Sequence, residues 1–178
     1  MANTHSLDLE VSSSQYASIT DASQTGLDLT GDFTIECWVK PETLTGSDAI
    51  VGKFATGQLS YQLFVSSTAI LINTSSNGTG GNQTSQATTI STGEWTHVAV
   101  SFTASTGTTT FYKDGVSLGT GATGVTSIHN GTAPFEIGAY RGTPQFDGLI
   151  DEVRVWNDVR TESEIQDNLG VELSLIHI

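Results

Sequence analysis

Tyr140, Arg141 and Asp147 fall within the ten-residue run GAYRGTPQFD, residues 138–147. An aromatic face for stacking, with a cation and a carboxylate to grip hydroxyls, is the equipment of sugar recognition. The run is turn-rich and lies between two strand-like segments, which predicts a loop at the rim of a fold, where binding residues concentrate. Glycoside cleavage needs more, namely two carboxylates held about 5 to 9.5 Å apart. Asp151 and Glu152 are adjacent and face opposite ways on a regular strand. Glu36 stands alone between Ile35 and Cys37, so no acid–base pair is legible. His5, His97, His129 and His177 lack a recognisable catalytic context, and His97 in WTHVAV reads as a strand histidine. Cys37, the single cysteine, excludes an internal disulfide and reads as a small core residue. Without a His or Cys cluster of suitable spacing, transition metals are disfavoured.

The 178 residues suit one domain with one core. Six Lys and Arg against 19 Asp and Glu leave a net charge of -13, which argues against a phosphate backbone or an anionic membrane as partner. The acids also offer oxygens of the kind calcium prefers. No apolar run approaches the ~20 residues of a membrane span, and the first ten residues lack the basic start and apolar stretch of a signal peptide. Asn73, Asn77, Asn82 and Asn130 satisfy N-x-Ser/Thr, a pattern that matters only in a glycosylating secretory pathway.

The elements that must position these residues are short alternating runs between turns: 6–11, 16–20, 33–40, 49–54, 61–65, 69–72, 95–102, 109–113, 135–139 and 148–156. That spacing predicts an all-β sandwich. Trp38, Trp95 and Trp156 fall within such runs and read as core packing. Asp114-Gly115 predicts a tight hairpin turn, with runs 95–102 and 109–113 in neighbouring strands joined by the polar loop 103–108. Residues 73–93 are almost wholly Asn, Ser, Thr, Gly and Gln, a composition for a loop or a ragged edge strand. In FDGLIDEVRVWNDVRTESEI, residues 146–165, strict alternation cannot put Ile150, Val153 and Val155 on one face; a bulge near Asp151 and Glu152 would. Thr161 and Glu164 then form a capping box that starts a short helix, about residues 162–169.

Gly148-x-Ile150-Asp151-Glu152-Val153-Arg154-x-Trp156-Asn157 followed by that capped helix resembles the terminal signature of the laminin-G-like, concanavalin A-like jelly rolls. LTGDFTIECWVKP (29–41) resembles the family's core strand, residues 6–9 with 15–19 its opening strands, and GEWTHVAV (93–100) with FYKDG (111–115) its central hairpin. The resemblance spans nearly the whole chain in order. It implies an all-β, two-sheet antiparallel jelly-roll sandwich with one short C-terminal helix, occupying residues 1–172. Resembling proteins continue past the capped helix into one more strand, so residues 1–172 are expected to lack their last strand. Residues 173–178, LSLIHI, are what the transposon end of common sequencing libraries encodes in frame, and are read as a translated adapter.

The resemblance also implies a calcium near the first and last strands. Asp151 matches the acid of the terminal motif and sits where alternation breaks, with Asp8 and Glu10 as further ligands on the opening strand. The Glu-x-Asp-x-x-Glu motif of glycosidases sharing this sandwich is absent. The expectation is therefore a non-catalytic recognition module for glycan or a protein partner, within a larger extracellular or surface protein, with structural calcium. The alternative is a spacer domain without a ligand, and a glycoside hydrolase comes third.

Overall fold

Phe33, Ile35, Cys37 and Val39 are fully buried and point to the same side of one long strand. That strand, β3 (Phe33–Thr43), lies inside a six-stranded antiparallel sheet, in the order β1 (Leu7–Leu9), β14 (Asp147–Trp156), β3, β8 (Thr96–Thr103), β9 (Thr108–Lys113), β10 (Val116–Ala122). A second antiparallel sheet packs against it, in the order β2 (Ala17–Ile19), β11 (Phe135–Ile137), β4 (Asp48–Ala55), β5 (Gln58–Ser66), β6 (Ala69–Thr74), β7 (Asn82–Ala87). A small hairpin, β12 (Ala139–Tyr140) with β13 (Thr143–Pro144), and one helix, α1 (Glu162–Asn168), complete the fold. This is a computed structural model, and it describes residues 5–172. The adapter reading of residues 173–178 lies outside the described residues.

The core between the sheets joins Phe33, Phe102, Phe111, Val98 and Ile150 of the first sheet to Val51, Tyr61, Leu63 and Ile72 of the second. The Phe33 ring lies 5.2 Å from Phe102 and 5.5 Å from Tyr61, while the Tyr61 hydroxyl donates to the Leu27 carbonyl at 2.8 Å. The predicted bulge is present: the β14–β3 register shifts between Asp151 and Arg154, and Glu152 adopts φ +50°. Ile150 before it and Val153 and Val155 after it consequently all pack on the core. The predicted capping box is also present, with the Glu164 amide donating to Thr161 Oγ1 at 3.3 Å and the Thr161 amide donating to Glu164 Oε2 at 2.8 Å. Ile165 of α1 buries against Ala99 and Tyr112 on the outer face of the first sheet.

Several expectations need correction. Trp95 precedes β8 and is 40% exposed, whereas Trp38 and Trp156 are half-buried on the outer face of the first sheet, outside the core. On β3 the period of two sends Trp38 to the side opposite Cys37 and Val39. The Asp114-Gly115 turn, with φ of +50° and +76°, joins β9 to a further strand, β10, whose Gly119 and Gly121 hid it from hydrophobic patterning. Residues 135–139 do not make one strand, because Gly138 at φ +80° separates β11 from β12. Of the two alternatives for the polar stretch 73–93, loop or edge strand, residues 82–87 take the second and form β7.

Candidate functional site

The opening and closing strands meet at one rim of the sandwich. β1 pairs antiparallel with β14, placing Asp8 opposite Leu149 and Leu9 opposite Gly148. Gly148 has φ +134°, and a Cβ there would stand 2.4 Å from the Lys40 carbonyl oxygen, so only glycine lets β14 approach β3 this closely. A register shift beside it turns Asp147 toward Thr43. Asp147 Oδ2 accepts from the Thr43 hydroxyl at 3.0 Å and its Oδ1 accepts from the Val11 amide at 3.3 Å. A cleft of about 570 Å³ opens there, lined by Glu10, Ser12, Thr43, Thr45, Asp48 and Asp147 among others.

The cleft is acidic. Carboxylate oxygens of Asp8, Glu10 and Glu42 gather within 4.8 Å of one another. Among the described residues, none of Asp8, Glu10, Glu42, Asp48 and Asp147 is ion-paired. Repulsion from Glu42 above all, then partial burial, Asp147 and Asp8, raises the Glu10 carboxyl above its ordinary value. Burial raises that of Asp48, against the opposing effect of the Thr45 amide and hydroxyl that donate to it at 3.1 and 3.3 Å.

The structure thus brings together Asp8, Glu10 and Asp147 of the residues singled out in the sequence, and adds Glu42, Asp48 and Thr43. Asp151 is not in the trio; it stands opposite Trp38 on β3 and accepts the Glu152 amide at 2.8 Å inside the bulge. Tyr140 and Arg141 belong to the β12–β13 hairpin, whose Pro144 and the following Gln145 form one wall of the cleft. The Tyr140 ring packs at 5.6 Å on Phe54 and 5.5 Å from Phe64, and the Arg141 guanidinium lies 4.8 Å over it. Aromatic face and cation therefore engage each other, with Arg141 exposed and Tyr140 half-buried. Glu42 could have been found by counting: residues 38, 40 and 42 of β3 share a face, and that face meets Asp8.

A second polar cluster lies beneath α1, where three of the recognised motifs converge. Glu36, His97, Glu152 and Arg154 are all at least nine-tenths buried. Arg154 reaches Glu152 at 2.7 Å and Glu36 at 3.8 Å, and also donates to the carbonyls of Asn168 and Val171. Glu36 accepts from Trp156 Nε1 at 3.1 Å and stands 3.4 Å from His97 Nε2. Closed off from solvent, this network ties the helix to the sheet. Glu36 is thus not alone, since the bulge carries Glu152 to the same side.

Residues 115–119 spell Gly-x-Ser-x-Gly, the pattern of a hydrolase nucleophile elbow. Here it is a hairpin turn running into β10, not a strand-to-helix elbow, and Ser117 Oγ accepts the Gly119 amide at 3.3 Å.

Residues 11–166 match the model of the concanavalin A-like lectin/glucanases superfamily. The chain belongs to that superfamily. No curated protein matches it. Among solved structures, domain 4 of AbnA, a GH43 extracellular arabinanase from Geobacillus stearothermophilus in complex with arabinotriose, is similar at 26% identity and TM-score 0.62, over 80% of this chain and 68% of that one. The CBM40 of Ruminococcus gnavus IT-sialidase, bound to α2,3 sialyllactose, aligns at 13% identity and TM-score 0.72, over 94% and 97%. The SAP-like pentraxin of Limulus polyphemus aligns at 17% and 0.59, over 78% and 70%. The last two share the superfamily fold. Among the described residues no helix is long and apolar enough to cross a membrane.

Proposed function

We propose that this superfamily member is a non-catalytic recognition module that binds glycan in the rim cleft, as part of a larger extracellular or surface protein. The observation that carries this reading is the cleft itself, where hydroxyls of Ser12, Thr43 and Thr45 and carboxylates of Glu10, Asp48 and Asp147 converge. Such a lining suits the many hydroxyls of a sugar, and the volume lies within the range of small-ligand sites. Arabinotriose on the 26%-identical AbnA domain supports it. Asp147 would grip hydroxyls from the floor, while Tyr140 and Arg141 hold the hairpin that walls the cleft.

Calcium fits beside the cleft. Asp8, Glu10 and Glu42 present hard oxygens at close quarters, the donor type calcium selects, and their mutual repulsion is what a divalent cation would relieve. Bound there, it would fix β1 against β3. Asp151, further along β14, is the remaining acid that could complete the set.

Isothermal titration of the domain with arabinotriose and a panel of other oligosaccharides, with calcium and with chelator, tests the reading. Binding abolished by Asp147→Ala is the expected result. Silence across the panel from a well-folded domain would leave the spacer reading instead. A fluorogenic glycoside screen should show no turnover, and turnover lost on Glu10→Gln would make the domain a hydrolase.

A further inference from the structure

We infer that the rim cleft takes uncharged sugar units and rejects sugars that carry a carboxylate. The inference rests on the glycan reading above and specifies which glycans the cleft admits. Its first support is the lining, which contains Glu10, Asp48 and Asp147 and no Lys or Arg. Asp8 and Glu42 stand beside Glu10 and add to the same field.

The second support is where the chain keeps its cations, of which it has only six. Lys53, on β4, is buried and held by Asp21 and Asp28. Arg154 is enclosed with Glu36 and Glu152 under α1. Arg160 is bound by Asp158 and Glu164 and stacks 4.0 Å over Trp156. Lys113 donates to the Thr89 carbonyl at 2.9 Å, and Arg141 lies over the Tyr140 and Phe54 rings. Lys40, opposite Leu149 and two residues from Glu42, makes no ion pair with the trio. Even with Lys40 and the Arg141 of the walling hairpin both counted, five carboxylates leave the rim at three negative charges. One calcium on the trio still leaves one, so metal binding weakens the field without reversing its sign. Like charges brought together in a partly desolvated cleft are how a site excludes a ligand it could otherwise fit.

The test pairs probes that differ in charge. Arabinotriose and lactose serve as uncharged probes, trigalacturonate and 3′-sialyllactose as acidic ones, titrated into the calcium-loaded domain at low and at high salt. At least one uncharged probe should bind, with its acidic counterpart at least tenfold weaker, and salt should narrow the gap because it screens exposed charges. Because Glu10 is also in the proposed calcium trio, Glu10→Lys is compared with the wild type in chelator; there it should improve the acidic probe relative to the uncharged one, and a thermal melt of the variant checks that it is folded. Asp147 also holds the turn after β1 through the Val11 amide, whereas the Glu10 carboxylate accepts no hydrogen bond among the described residues, so Glu10 is altered in its place. An acidic probe that binds as tightly as its uncharged counterpart, and is lost on Asp147→Ala, overturns this inference while leaving the glycan reading intact. No binding by any probe overturns both.

Discussion

At the scale of single residues, the buried ionic cluster is the most sensitive point of the molecule. Arg154 is the guanidinium that faces both Glu36 and Glu152, and all three are at least nine-tenths buried. Removing one partner of such a set strands the other charges in a low-dielectric site. Arg154→Met is expected to cost about 3–5 kcal/mol, measured by urea unfolding, and to loosen amide-exchange protection in α1, whose last turn it holds. Cys37 offers a second residue-level test. Its thiol is fully buried and burial, aided by Glu36, pushes it well above the ordinary thiol range. The native domain should therefore be inert to a thiol reagent at neutral pH and react only on unfolding. The residues themselves were legible as types: Cys37 reads as core and Thr161 as a cap from their neighbours alone. The partnership of Glu36 with His97 was not, because they are sixty-one positions apart in the chain and meet only through the β3–β8 register.

At the scale of elements, glycines and caps decide geometry. Gly148→Ala would combine a φ of +134° with a Cβ 2.4 Å from a backbone oxygen, and an unfavourable φ alone costs of order 1–3 kcal/mol. A marked drop in melting temperature is expected, with loss of glycan binding as Asp147 moves. Thr161→Ala should cost about 1 kcal/mol through the lost cap. The cap has a pH signature as well. The Thr161 amide and hydroxyl, and then Arg160, hold the Glu164 carboxyl below its ordinary value of 4.5. Its stabilising contribution is thus complete above that value and is lost as pH falls through the lower, folded-state value, so acid should narrow the wild type's advantage over Thr161→Ala without closing it, since the Glu164 amide still donates to Thr161 Oγ1 in the wild type. Of the elements, the long alternating strands were readable from hydrophobic period. β10 was not, and β7 was readable only as one of two alternatives, since edge strands exposed on one or both faces carry Gly, Ser, Thr and Gln where a core strand carries Val and Ile.

At the scale of the whole molecule, part of a net charge of -13 gathers at one rim, where calcium is proposed to bind. Calcium at ~100 times its dissociation constant should stabilise the domain by about 2.7 kcal/mol, seen as a rise in melting temperature that chelator reverses and Glu42→Ala abolishes. An unchanged melt in Asp151→Ala would keep that acid out of the metal's ligand set. The pH dependence has a definite sign. The Glu10 carboxyl is raised above 4.5 by Glu42 and its neighbours, so in the calcium-free domain its contribution to stability is present below the unfolded value and lost as pH rises through the raised one. Calcium removes that repulsion only once Glu10 is ionised, and the calcium-induced rise in melting temperature should shrink as pH falls toward 4.5.

The sequence by itself determined the fold, down to the bulge in β14 and the cap of α1, because both are recorded in local patterns: a broken alternation and a Thr–Glu spacing of three. It also singled out Asp147 as an acid in a polar loop, and, through the family resemblance, Asp151 with Asp8 and Glu10 as acids of the last and first strands. Only the tertiary structure decided which acids share a site. Glu42 joins Asp8 and Glu10 because antiparallel pairing of β1 with β14, and of β14 with β3, stacks three distant segments at one rim. The same structure turned Tyr140 and Arg141 onto Phe54 and Phe64 and placed the tryptophans outside the core. Side-chain direction depends on register and on what lies across the interface, and neither is written in any one strand.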